Sequence, residues 1–80
     1  MDRKYIFKAI SEERKKQDEK WDEQNHHPYK WFAILAEEIG EANKAVLEDS
    51  LLKYSNELIQ VAAVAVAMIE CVHRVQWGGE

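Results

Sequence analysis

Apolar residues recur at three- and four-residue spacings along most of the chain, which is the pattern of amphipathic helices. The first segment of this kind runs from about Asp2 to Trp21. Its charged stretch, SEERKKQDEK, predicts a face exposed to solvent. The other face carries Ile6, Ile10, Gln17 and Trp21. We therefore expect one helix over this segment, with a single face turned to the rest of the protein.

The stretch DEQNHHPYK interrupts the pattern, and Pro28 within it suits the first turn of a helix because no intrahelical bond needs its missing N–H. A cap for that turn is available from Asn25, His26 or His27. The second helix is predicted from about Pro28 or Tyr29 to Leu47 or Glu48. Its apolar stripe comprises Trp31, Leu35, Ile39, Ala42 and Val46.

After Asp49 and Ser50, which suit a helix end or a new N-cap, a third helix is predicted from about Leu51 to Val75, and the glycines of WGGE would end it. This helix has two apolar stripes. One comprises Leu58, Ala62, Ala65, Ile69 and Val72, and the other Val61, Val64, Met68 and Cys71. A helix that is apolar most of the way round packs at the centre of a larger structure. In so short a chain we expect that centre to be a dimer interface.

Composition supports a single all-α domain over residues 1–80. The chain has 80 residues with one Pro and three Gly, so few turn-forming residues divide it. We expect helical hairpins packed as a bundle and completed by dimerisation, because a chain of this length buries a small fraction of its surface.

Net charge and the chain's apolar segments limit the classes of partner. A net charge of −4 argues against a nucleic-acid polymer as partner, although a cation can bridge an acidic protein to a phosphate ligand. The N-terminus lacks a signal-peptide core, and the apolar run from Val61 to Ile69 is too short to span a bilayer. The lone Cys71 fits a small core residue. These features predict a cytoplasmic protein without a membrane partner.

Two pairs of polar residues carry the candidate chemistry. Glu38 and Glu41 project side by side from the second helix, because residues three apart lie about one turn apart. Glu57 and Gln60 have the same spacing on the third helix, and an antiparallel hairpin brings the pairs together. Oxygen ligands of this kind suit Mg²⁺. The alternative is that these carboxylates are solvent-exposed surface residues.

The motif EEIGE (Glu37, Glu38 and Glu41) followed by ELIQ (Glu57 to Gln60) resembles the E-E-x-x-E … E-x-x-D signature of MazG-like nucleoside triphosphate pyrophosphohydrolases. The resemblance covers about Ile10 to Glu70. It implies an all-α bundle that forms a dimer or a tetramer of two dimers. It also implies Mg²⁺-dependent cleavage of an NTP or dNTP to the monophosphate and pyrophosphate, with Mn²⁺ as a substitute metal.

The resemblance also implies roles for individual residues. Glu38, Glu41 and Glu57 match the family's metal-binding carboxylates, and Glu37 or Glu38 would take a proton from the attacking water. Gln60 departs from the signature, which has Asp at this position. An amide oxygen still ligates Mg²⁺ but brings no charge, so the departure implies a weaker second metal, slower turnover, or nucleotide binding without hydrolysis.

Candidate substrate contacts cluster around the first loop. Indoles stack on bases and amides read base edges, and the residues available here are Gln17, Trp21, Asn25, His27 and Trp31. For Trp21 and Trp31 the alternative is a core or interface role. Lys30, Lys53 and Arg14 are candidate phosphate contacts, with solvated surface as the alternative. Zinc at His26 and His27 is disfavoured because no third ligand has suitable spacing.

Three functions follow from this sequence. The first is a MazG-like pyrophosphohydrolase that maintains the nucleotide pool. The second is a nucleotide-binding or sequestering protein with weak catalysis on the same scaffold. The third is a structural helical dimerisation module.

Overall fold

A computed structural model describes residues 2–75 and consists of three α-helices joined by short connections. They are α1 (Arg3–Trp21), α2 (Pro28–Leu47) and α3 (Leu51–Arg74). Over these residues the chain is all-α, as predicted, and each helix bound lies within about a residue of its predicted position. The glycines of WGGE, predicted to end the third helix, lie outside the described residues.

Each helix begins at a side chain that accepts a hydrogen bond from the backbone of the first turn. The acceptors are Asp2 for the Tyr5 N–H, His27 for the Tyr29 N–H and Ser50 for the Lys53 N–H, each at 3.2 Å. These bonds satisfy N–H groups that have no partner within the helix. Of the candidates that the sequence offered, His27 is thus the cap of α2 and Ser50 the cap of α3.

α3 is the central helix of the molecule. Both α1 and α2 pack on it, and α1 makes no close backbone approach to α2. α2 returns along α3 in the antiparallel direction after a turn in which Asp49 adopts the left-handed region, with φ 57°. α1 runs in the same direction as α3, since Arg14 bonds to Glu70 while Ile10, four residues earlier, borders a groove with Val66. The hairpin expected from the sequence is thus formed by α2 and α3.

The core lies between α2 and α3. Trp31, Val64, Ala67 and Cys71 form its buried cluster, against which Ile34, Leu35 and Met68 pack. The second apolar stripe of α3 is therefore the face that meets α2, and the prediction of Cys71 as a core residue is confirmed.

The apolar stripe predicted for α2 is wrong at two positions. Ile39 and Val46 are exposed, whereas Ala42 and Ala45 are buried. The physical reason is the 3.6-residue period, by which each residue turns about 100° around the axis. Ile39 and Val46 therefore lie about 80° and 60° to one side of the buried Trp31, whereas Ala42 and Ala45 lie within about 40° of it. Small residues at 42 and 45 let α3 approach closely near the hairpin turn.

The first apolar stripe of α3 is covered only in part by α1 and α2, and its Ala62 and Ala65 are half-buried. Leu58, Ile69 and Val72 are all exposed. Within the described residues, α3 alone is long and apolar enough to cross a membrane by length and composition, with a mean hydropathy of 1.5 over its most apolar window and 22% of that window buried. A core helix of a globular assembly passes the same test. The sequence analysis considered only the run from Val61 to Ile69, which is too short to span a bilayer. The helix that contains this run is longer and extends from Leu51 to Arg74.

Candidate functional site

A cleft of about 640 Å³ opens between α1 and α2, and α3 forms its floor. It exists because α1 and α2 each pack on α3 but stand apart from one another. Its apolar wall comprises Trp31, Ile34, Val64 and Ala67. Polar residues border this wall on both sides, so the cleft offers an apolar surface to part of a ligand and charged or amide groups to the rest.

Glu38 lines the cleft from α2 and is the centre of its acidic end. The pKa of Glu38 is raised above its ordinary value, first because the carboxyl is partly buried and then because Glu57, Glu37, Glu41 and Glu13 surround it with negative charge. Both effects disfavour the charged form. The carboxylates singled out in the sequence are therefore close enough in the fold to act on one another electrostatically.

Glu13 is a member of this acidic end that the sequence analysis missed. It lies on α1, in the stretch interpreted as a solvated face, yet it lines the cleft and raises the pKa of Glu38. Its position depends on how α1 packs on α3. One signal was available: Glu13 lies four residues before Gln17, so the two share the face of α1 that turns inward.

The donor set suits a hard divalent cation in its chemistry. Carboxylates and an amide oxygen are the ligands Mg²⁺ takes in proteins, and Gln60 lines the cleft near Glu38. Within residues 2–75, however, no three His, Cys, Asp or Glu side chains are grouped closely enough to enclose a metal ion. A cation among these carboxylates would remove the repulsion between them.

The opposite end of the cleft is aromatic and amide-rich. Trp21 is 57% exposed, and the Lys20 ammonium lies 4.8 Å from the centroid of its ring. Gln17 and Gln24 also line this end. An exposed indole beside amide groups can stack on a flat ring and bond to its edge. The structure thus brings Gln17, Trp21 and Trp31 into one cleft with Glu38 and Gln60.

Trp31 combines the two roles that the sequence left open. It is 5% exposed and belongs to the core, and it also forms part of the cleft wall. The ring of His26 packs edge-on against it, with centroids 4.9 Å apart. Its Nε1 is buried with no hydrogen-bond partner among the described residues, which costs stability.

Four candidate substrate contacts do not line the cleft, and one of them, Asn25, accepts a hydrogen bond from Arg74 instead. His27 caps α2 and packs on Tyr29, and Lys53 lies 3.5 Å from Glu48 beside the hairpin turn. Lys30 is exposed on the first turn of α2. The cations that do line the cleft come from α1 and are Arg14, Lys16 and Lys20. The sequence could not indicate these lysines, because the charged residues of α1 follow one another without a pattern that distinguishes those lining the cleft from those facing solvent.

Arg14 is committed to other residues of the protein. Its guanidinium donates to Glu70, Asp18 and Gln17, at distances from 2.6 to 3.0 Å. The bonds to Glu70 fasten α1 to α3, and the four bonds together occupy donors that a phosphate would need. Arg14 therefore positions the α1 wall of the cleft.

The loop over residues 22–27 closes one end of the cleft and is fastened to the end of α3. Arg74 donates to the Gln24 carbonyl at 3.0 Å and to Asn25 Oδ1 at 3.1 Å. His26 Nε2 lies 2.9 Å from Gln24 Oε1, and burial, followed by the charge of Lys30, lowers the pKa of His26. The loop thus orients Gln24, which lines the cleft.

The chain matches no family model, no curated protein and no solved structure. The resemblance to MazG-like enzymes therefore stays a prediction.

Proposed function

We propose that this protein is a Mg²⁺-dependent nucleoside triphosphate pyrophosphohydrolase that converts an NTP or dNTP and water into the monophosphate and pyrophosphate, in maintenance of the nucleotide pool. One observation carries the proposal. A single cleft has Glu38 and Glu13 at one end and an exposed indole with amides at the other, and Glu57, Glu37 and Glu41, which do not line the cleft, lie near enough to Glu38 to raise its pKa. A nucleotide has the matching polarity, with a polyphosphate that carries cations and a flat base.

Glu38 is the residue best suited to take the proton from water. Its carboxylate lines the cleft from a partly buried position, from which it could accept a proton from the attacking water. The water oxygen forms a bond to the α-phosphorus, the bond from that phosphorus to the bridging oxygen breaks, and pyrophosphate leaves. Glu37 is the second candidate base, although it is more exposed and acts on Glu38 from its flank.

Glu38, Glu41, Glu57 and Gln60 would hold Mg²⁺, or Mn²⁺ in its place. The bound ion would neutralise the triphosphate and make water more acidic. At the other end of the cleft, Trp21 offers its exposed face for stacking, and Gln17 and Gln24 offer amides to the edge of a base. Lys16 and Lys20 border the path between the two ends and would favour an anionic ligand.

A second function is favoured by Gln60. The resemblance places Asp at this position, and the amide lining the cleft brings one negative charge fewer. A cleft with weaker cation binding would retain a nucleotide without cleaving it. We therefore propose a nucleotide-binding protein without turnover as the alternative.

The decisive experiment measures pyrophosphate release over a panel of NTPs and dNTPs with and without Mg²⁺. We expect release that needs the metal and falls at least 100-fold in Glu38→Gln. Nucleotide binding is measured in parallel by calorimetry with a non-hydrolysable analogue and Mg²⁺. Binding without release would support the alternative function, and absence of both would contradict the proposal.

A matched pair of variants tests the acidic end of the cleft specifically. Glu13→Gln removes a charge that faces Glu38, whereas Glu12→Gln removes the neighbouring charge on the exposed side of α1. We expect Mn²⁺ affinity, measured by electron paramagnetic resonance, to fall in Glu13→Gln and to remain unchanged in Glu12→Gln. Equal effects in the two variants would mean that only net charge matters.

A further inference from the structure

Two amide side chains flank the exposed indole at the aromatic end of the cleft. Gln17 lies one helical turn before Trp21 on α1, and Gln24 lies three residues after it in the loop. Both glutamines line the cleft and are half-buried. A glutamine amide can offer a ligand its carbonyl acceptor or its N–H donors, so what it offers depends on which of its atoms the protein already holds.

Arg14 holds the carbonyl of Gln17. Its Nη1 donates to Gln17 Oε1 at 3.0 Å, and a guanidinium has donors only, so the amide oxygen must face it. The guanidinium is itself fixed by Glu70 and Asp18. Gln17 Nε2 has no hydrogen-bond partner in the part of the chain that the structure describes. Its two N–H groups are therefore left for water or a ligand.

His26 holds the carbonyl of Gln24 in the same way. Its Nε2 lies 2.9 Å from Gln24 Oε1, and this contact is a hydrogen bond when Nε2 carries a hydrogen, as it does in one neutral tautomer and in the charged ring. The imidazole is positioned by its edge-on packing against Trp31, and the Gln24 backbone by the bond from Arg74 to its carbonyl. Within residues 2–75, Gln24 Nε2 also has no hydrogen-bond partner.

The two glutamines therefore offer hydrogen-bond donors to the base of a nucleotide. Guanine has acceptors at N7 and O6, and thymine and uracil have an acceptor at O4. Adenine and cytosine carry an amino group, which is a donor, at the equivalent positions. An amino group that faces an amide N–H places two donors opposite each other, and neither finds a partner. Keto bases thus match these amides better than amino bases do.

The acceptors at this end of the cleft do not reverse that selection. Asp18 is bonded to Arg14, whereas Asp22 is an exposed carboxylate that lines the cleft. Guanine and uracil carry a ring N–H beside the carbonyl, so they can donate to Asp22 as an amino group would. The selection between bases is therefore left to the groups that face Gln17 and Gln24.

We propose that this cleft selects nucleotides with a keto base, which are those of guanine, uracil and thymine, over nucleotides of the amino bases adenine and cytosine. The proposal rests on the proposed function, because it concerns the ligand of the same cleft. Gln17 and Gln24 determine the specificity, and Arg14 and His26 are positioning residues that keep the amide oxygens away from the base. The preference should be about 10-fold, the order of discrimination that a correct donor–acceptor pair supplies.

Calorimetry of the full chain with Mg²⁺ and α,β-methylene analogues tests the proposal. We expect the GTP analogue to bind about 10-fold more tightly than the ATP analogue, and the UTP analogue more tightly than the CTP analogue. The ITP analogue, which keeps O6 and N7 but lacks the 2-amino group, should bind like the GTP analogue. Equal affinities for keto and amino bases would overturn the specificity and leave the proposed function standing. Absence of binding by every analogue would overturn both.

Two neighbouring substitutions in the loop test the role of Gln24. Gln24→Glu replaces the donor in the cleft by a carboxylate oxygen while His26 bonds to the other oxygen, so the ratio of GTP-analogue to ATP-analogue affinity should fall about 10-fold. Asn25→Asp makes the same change at the next residue, which lies outside the cleft lining and accepts from Arg74. It should leave the ratio unchanged. An unchanged ratio in Gln24→Glu would overturn the assignment.

His26→Phe tests the positioning role. This variant keeps a flat ring beside Trp31 and removes the donor that holds Gln24 Oε1. The amide of Gln24 is then free to turn its oxygen toward a ligand, so the ratio should fall by about 3-fold while Gln17 retains part of the preference. Circular dichroism establishes that the helices are intact. Equal weakening of the GTP and ATP analogues would indicate a structural role alone and overturn the positioning role of His26.

Discussion

The guanidinium of Arg14 lies 2.6 Å from the carboxylate of Glu70, and this contact joins helices whose bonded residues are 56 positions apart in sequence. It holds α1 at the height on α3 at which Glu13, the preceding residue, acts on Glu38. Arg14 also bonds to Gln17 and Asp18 on its own helix, so its side chain is fixed from both sides. The spacing of the α1 wall from the α2 carboxylates therefore depends on Arg14.

Replacing Arg14 by Ala should lower the free energy of unfolding by about 1–3 kcal/mol, because its partners lose charge-assisted hydrogen bonds at a side chain that is 14% exposed. Chemical denaturation checks the value. Lys15→Ala, at an exposed position on the same helix, should change it by less than about 0.5 kcal/mol. Equal losses in the two variants would mean that the bonds of Arg14 stabilise the fold no more than an exposed lysine on the same helix does.

Glu38→Gln should stabilise the fold at neutral pH. The pKa of Glu38 is raised in the folded state, so the unfolded chain ionises first as the pH rises past 4.5, and from there this residue lowers stability until the folded form is ionised as well. We expect a higher melting temperature for Glu38→Gln at pH 7 and little difference from the unaltered protein at about pH 4. A variant less stable at pH 7 would show that Glu38 makes favourable contacts that outweigh its electrostatic cost.

Two substitutions at Trp31 separate its packing from its unpaired donor. Trp31→Ala should cost about 3–5 kcal/mol because it empties a buried site. Trp31→Phe keeps much of the ring and removes the buried Nε1 without a partner, so its cost should be far smaller. Thermal denaturation distinguishes them. Similar large losses in both would reveal that the indole N–H has a partner in solution.

Gln60→Asp should raise Mn²⁺ affinity, because it adds a carboxylate beside Glu38 at the acidic end of the cleft. Spin-resonance titration measures this affinity independently of turnover. The added charge should also raise the pKa of Glu38 further. If affinity and turnover both fall, the amide of Gln60 makes a contact that a carboxylate cannot replace.

The helices and their ends could be predicted because each depends on nearby residues. Ser50 and Pro28 mark helix starts through their own chemistry. The two apolar stripes of α3 predicted a helix that packs on its neighbours, although the sequence did not tell which stripe meets α2. The closeness of the carboxylates on α2 and α3 could be predicted from their distances along the chain to the hairpin turn. A turn of only three residues leaves little freedom in how the two helices align.

The α1 wall could not be predicted for the opposite reason. Nothing in the charged stretch that holds Glu13, Lys16 and Lys20 indicates how the helix rotates about its axis, because its apolar residues are few. That rotation is fixed by Arg14 and Glu70, which are remote in sequence. Lys30 and Lys53 were predicted as phosphate contacts because they lie near the motifs in the sequence. The cationic residues that line the cleft belong instead to α1.

The separation of α1 from α2 has a consequence for how the protein opens. The α2–α3 hairpin closes locally through a short turn, whereas α1 is attached to α3 alone. Amide hydrogens of α1 should therefore exchange with solvent through a sub-global opening that leaves the hairpin amides protected. Such an opening swings one wall away and exposes the whole cleft at once. The route by which a ligand enters would then be the same motion as the first step of unfolding.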